Sequence, residues 1–190
     1  MPSPVGHSLA GFIIYKIAPG MQGMARWQVI ALYLFAANAP DLDFVPGLVV
    51  GDPNRFHHGF SHGIGFGLLF AVILSLLLCI SKKDWLWRNF RIFLSLYLSH
   101  LTLDYLSTDT GAPYGVPFFW PVSNAYYIAP FVLFSDIHRS NSTANFFSSL
   151  FSTHNLWSVT RELLVLLPFL VLALAQRERM RIEEGSKSQL

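Results

Sequence analysis

His7, Asp41, Asp43, His57, His62, His100 and Asp104 are the residues whose types and spacing suit chemistry in this sequence. Imidazole and carboxylate together suit zinc, manganese or iron, and zinc is the default for a non-redox hydrolase. His100 and Asp104 stand four residues apart, so a helix projects both from one side. Asp41 and Asp43 flank Leu42 just after Pro40. If that backbone is extended, as a proline that ends a helix encourages, both carboxylates face one way. The stretch PNRFHHGFSHGIGFG sets His57, His58 and His62 directly before a long apolar run. Ser61 is expected to cap the helix that starts at His62 and so hold its imidazole at a defined angle. His58 reads as solvent-facing or as a substrate contact. His138 and His154 read as ordinary interfacial histidines.

The elements that must position these residues follow from composition. Of 190 residues, 53% are hydrophobic and only 13% charged, against about 25% charged in soluble domains. An integral membrane protein is the leading class. Residues 63–81 carry no charge, and at a rise of about 1.5 Å per residue they nearly match a hydrocarbon core of about 30 Å. A second span begins near Asn89, and a third lies between Glu162 and Arg177, with Arg161 and Glu162 facing protein or snorkelling. Residues 5–18 and 27–40 are shorter apolar segments joined by a glycine-containing turn. The fold class expected is all-α: a membrane-embedded bundle of about five membrane helices over residues 1–176. It carries an irregular, proline-rich insertion at 107–157 and a charged cytoplasmic tail at 177–190. The start of the chain has no positive leader and reads poorly as a cleaved signal peptide. Cys79 has no partner for an internal disulfide and reads as a small core or lipid-facing residue.

Basic residues cluster at 82–91, after residue 177, and at Lys16 and Arg26. The positive-inside bias makes those three groups cytoplasmic. Alternation then places the chain's start, the 40–60 loop and the insertion outside. On that map every residue of the opening set comes to the outer face. Burying His100 and Asp104 in an apolar helix costs several kcal/mol unless partners compensate, and a shared cation is the natural compensation. The bilayer is the expected partner. No basic, aromatic-interleaved patch points to nucleic acid.

The motifs PDLD at 40–43, HHGFSHG at 57–63, HLTLD at 100–104 and YGVPFFWPVSN at 114–124 resemble those of the YdjM-type bacterial inner-membrane proteins, described as metal-dependent hydrolases. Where that family has His-Arg-Gly-x-Thr-His-Ser, this sequence keeps the outer histidines as His57 and His62 and has His58 in place of the arginine. The motif order is also distantly similar to the superfamily of zinc-dependent phospholipase C and single-strand nucleases. Carried over, that likeness implies His7, Asp41 or Asp43, His62, His100 and Asp104 as metal ligands. His62, His100 and Asp104 would hold a first ion with Asp41, and His7 would share Asp104 toward a second. The later His-x-x-x-Glu pair of the soluble enzymes is missing, so one or two ions are expected, zinc first and manganese next. Asp43 would be an orienting group or general base, and His57 a substrate contact or proton donor. The expectation is a multi-pass inner-membrane hydrolase of phosphoesters or phospholipids, with its site on the periplasmic side and the insertion as a lid. Trp120 and Tyr126 would sit at the membrane interface. The rival readings are a non-enzymatic membrane protein with a structural polar cluster, and an ion transporter. Transport predicts polar groups at mid-depth, where only Ser75 and Ser95 stand.

Overall fold

Apolar runs broken by proline and glycine fold into helices α1 (Pro4–Ile17), α2 (Arg26–Asn38), α3 (Phe44–Val50), α4 (Ile64–Lys82), α5 (Leu86–Tyr105), α6 (Thr143–Ser149) and α7 (Thr153–Lys187). The structure is a computed structural model, and it describes residues 1–18 and 20–187. No strand forms among the described residues, only isolated bridges at Ser107–Phe134 and Val116–Tyr127. The fold is all-helical, as expected. Three stretches are long and apolar enough to cross a membrane: Arg26–Val50, Ile64–Lys82 and Thr153–Glu183. α1 and α5 pack among them.

The exterior is greasy where lipid would lie. Leu69, Ile73, Leu77 and Ile80 on α4 and Leu164, Leu167, Leu172 and Phe169 on α7 are exposed. The inward face of α4 is a ladder of small residues, Gly67, Ala71 and Ser75, which lets α5 approach closely. A Cβ on Gly67 would lie 2.7 Å from Cδ1 of Tyr97. α5 is the central helix, with Phe93, Leu96, Tyr97, His100 and Leu101 fully buried. Gly11 of α1 lies similarly close to Ala37 of α2, and Asn38 Nδ2 donates to Ser8 Oγ at 3.0 Å. α7 docks on α1 through a buried carboxylate: Glu162 accepts from the Ser3 backbone N–H at 2.7 Å and from Ser3 Oγ at 2.5 Å. Glu162 thus faces protein, whereas exposed Arg161 reaches the insertion at Ser135 Oγ, 3.2 Å away.

Several expectations need correction. Residues 39–43 are not extended. They form a 3₁₀ turn, Ala39–Asp43, because a proline within the first turn of a helical segment needs no N–H there. Ser61 does not cap a helix. α4 starts at Ile64 behind Gly63, with no side-chain cap. Its first N–H groups, on Ile64 and Gly65, instead donate to the carbonyls of Phe118 and Trp120 at 2.9 Å each. The insertion therefore caps α4, and the close fit needs glycine: a Cβ on Gly63 would meet that of Trp120 at 2.7 Å. The insertion itself contains α6 and ends earlier than residue 157, at the start of α7. The charged tail, up to Lys187, is the end of α7, a helix that also contains Pro168. Residues 188–190 lie outside the described residues.

Candidate metal centre

The antiparallel packing brings the start of α1, the 3₁₀ turn after α2, the residues before α4 and the end of α5 to one end of the bundle. His7, Asp41, His62, His100 and Asp104 meet there. The side chains of His7, His62, His100 and Asp104 have no exposure, and that of Asp41 is 12% exposed. His100 Nε2 lies 3.1 Å from Asp104 Oδ2 and 3.6 Å from Asp41 Oδ1. His62 Nε2 lies 3.5 Å from Asp104 Oδ2 and 3.7 Å from Asp41 Oδ1. His7 Nε2 lies 3.4 Å from Asp104 Oδ1, and its ring stacks on that of His100 at 3.6 Å. Four-coordinate zinc with ligands at 2.0–2.1 Å separates neighbouring donors by about 3.3 Å, so these spacings suit a shared cation. The chemistry of the donors points the same way. His7 Nε2, Asp41 Oδ1, His62 Nε2, His100 Nε2 and both Asp104 oxygens are buried without a hydrogen-bond partner, a costly state unless something else satisfies them.

The far sides of two of the three rings are held in the sense that metal binding needs, while His7 Nδ1 is buried without a partner. His100 Nδ1–H donates to the Ala37 carbonyl at 2.8 Å, which leaves the Nε2 lone pair facing the cluster. His62 Nδ1–H is 3.1 Å from Asp43 Oδ2, with the same result. Asp43 does this twice: its Oδ1 takes His57 Nδ1–H at 3.0 Å, while its Oδ2 also accepts from Ser61 Oγ at 2.8 Å. Both of its oxygens are engaged, which suits Asp43 to orienting the two imidazoles. Ser61, expected as a cap, belongs to this network, and Tyr97 Oη fixes its carbonyl from α5.

Burial depresses His62, but the carboxylates of Asp41, Asp43 and Asp104 push it back up to about 10. Burial drives His57 well below the usual histidine range, reinforced by the charges on His58 and Arg139. That direction favours the neutral ring, whose Nδ1–H is held by Asp43. The His57 ring stacks on Phe44 at 4.0 Å, and Nε2 abuts the Met1 thioether.

A cavity of about 700 Å³ opens above, lined by Met1, Asn54, Arg55, His57, His58, Asp109, Asp136 and Arg139 among others. Its wall includes His57 and His58 but none of the five clustered residues, so these two histidines separate cavity from cluster. His58 is not solvent-facing. It is buried, with φ 58° in the left-handed region, and its Nδ1 lies 3.4 Å from Asp109 Oδ2. Asp109 and Arg139 are among the wall residues that the sequence reading did not single out. Asp109 is anchored by the backbone N–H of Gly115 at 2.7 Å. Arg139 rests over Phe44 at 5.1 Å and donates from Nε to Asn54 Oδ1 at 2.8 Å. Among the described residues no carboxylate lies within ion-pair distance of Arg139. Both sit in irregular backbone, where no periodicity marks a facing side; only the short turn Thr-Asp-Thr-Gly hinted at Asp109.

The sequence model of the family described as YdjM inner membrane protein matches residues 1–180. The chain belongs to that family. No curated protein and no solved structure matches it. Membership of the YdjM family, together with the three apolar stretches, makes this an inner membrane protein. The YdjM description names no activity, and the likeness to phospholipase C enzymes rests on motif order alone.

Proposed function

We propose that the protein is a metal-dependent phosphoesterase of the inner membrane, with lipid phosphoesters among its substrates. The observation that carries this is the convergence of orphaned, buried imidazole and carboxylate atoms from four separate stretches of chain. His62, His100, Asp104 and Asp41 would hold the first ion, and His7 with Asp104 a second. When bound, a divalent ion supplies Lewis-acid polarisation of the substrate and acidification of water. The chain's own residues do the rest. Asp43 holds His57 and His62 in one tautomer, and His57 stands on the cavity wall with Nε2 against the Met1 thioether. Arg139, which has no carboxylate within ion-pair distance among the described residues, gives the cavity wall a contact for phosphoryl oxygens. Nine of the basic residues lie at the opposite end of the bundle, on α1, α2, α4, α5 and α7, which favours an outward-facing site.

The test begins with elemental analysis of detergent-purified protein, followed by turnover of aryl phosphates and phospholipids. The expected result is at least one zinc or manganese per chain, with turnover abolished by chelator and restored by either ion. Stoichiometric metal with no turnover across that panel would refute the enzyme; no metal at all would refute the centre. The closed burial of the cluster favours a second reading, a structural metal site in a non-enzymatic protein. In that case chelation lowers thermal stability and no phosphoester is cleaved.

A further inference from the structure

A second group of metal-type donors lies at the cavity rim, on elements the buried centre does not use. His138, in the insertion, and His154, in the first turn of α7, stack their rings at 3.7 Å and 6°. Both direct Nε2 to one carboxylate: His138 lies 3.6 Å from Asp136 Oδ2, and His154 lies 3.4 Å from Asp136 Oδ1. His154 Nε2 also lies 3.1 Å from the Asp136 carbonyl, a contact that an ion bound there would replace. These separations sit near the roughly 3.3 Å expected between donors of a four-coordinate zinc ion.

The geometry is set by groups other than the three side chains. Asn155, itself buried, accepts from the His138 backbone N–H at 2.7 Å and donates to the His138 carbonyl at 2.7 Å. Ser158 Oγ donates to the Asp136 carbonyl at 3.0 Å, and Thr110 Oγ1 donates to Asp136 Oδ2 at 2.6 Å. The backbone of 136–138 is thus clamped to the start of α7 before any ligand arrives. His138 and His154 are 59% and 40% exposed, so water has room to complete a coordination shell.

We propose that Asp136, His138 and His154 form a second cation site, taking a divalent ion of the zinc class and tying the insertion to α7. Its position next to Arg139 means that an ion here also steadies the cationic wall of the cavity. The inference goes beyond the proposed activity and does not depend on the buried centre being filled.

The test is calorimetric titration of zinc into the full chain in detergent after metal removal by chelator. His138→Ala/His154→Ala is expected to bind one zinc equivalent fewer than the unaltered protein, while unfolding at the same temperature in the metal-free state. Asp104→Asn is expected to keep that equivalent. Should the double variant fold poorly, His138→Ala alone serves, since its side chain is mostly in solvent. Unchanged stoichiometry in the folded variant would overturn the proposal. One equivalent in the unaltered chain and none in the double variant would support this site while removing the buried one.

Discussion

Asp43 touches no other residue of the buried cluster except His62, yet its two oxygens set the tautomers of His62 and His57. Replacing it with asparagine keeps the shape but puts an amide N–H or a weaker acceptor where a carboxylate stood. We expect Asp43→Asn to weaken zinc affinity about 10–100-fold, the range typical of partners behind metal ligands. Competition against a chromophoric chelator measures this, and unaltered affinity would mean that Asp43 is not oriented as described. At the same scale, His57→Ala is expected to retain full metal content while lowering phosphoester turnover. Loss of metal in that variant would move His57 into the ligand set. The identities of these residues were open to sequence reading because imidazoles and carboxylates are conspicuous beside apolar runs. Arg139 was not, since an arginine in a loop carries no mark of what it faces.

Among elements, the α4–α5 contact does the most to shape the site. Tyr97 fills the space left by Gly67, and its hydroxyl reaches back to the Ser61 carbonyl next to His62. A valine at Gly67 has no room, and forcing it in is expected to destabilise the protein by roughly 1–3 kcal/mol. Thermal unfolding in detergent should show a lower midpoint for Gly67→Val, with weaker zinc binding alongside. A variant as stable as the parent would show that α4 and α5 pack more loosely than described. The span over 63–81 was legible because an uncharged run of that length has few alternatives. The turn at 39–43 was misjudged because Pro40 both ends one helix and opens the next turn, and local sequence does not say which role prevails.

For the molecule as a whole, the separation of charge is the feature with a consequence. Nine basic residues lie at one end and the His/Asp cluster at the other, and the outward-facing site proposed above rests on the positive-inside bias that this separation invokes. With Cys79 replaced by serine, Asn145→Cys is expected to react with a membrane-impermeant maleimide added to spheroplasts. Glu178→Cys should react only after the membrane is opened. The reverse pattern would put the site in the cytoplasm.

Sequence alone determined the solvent this protein lives in, the helical class, and the residue types that gather at one end of the bundle. Hydropathy and charge are sums over local residues, and helix direction alternates of necessity once spans are counted. Only the tertiary structure decided that five of those side chains lie within coordinating distance while His57 and His58 stand between them and the cavity. It also decided that Asp136, His138 and His154 form a cluster of their own. Such distances depend on how glycine-faced helices close on one another and where the insertion caps α4, contacts between residues far apart in the chain that no local pattern encodes.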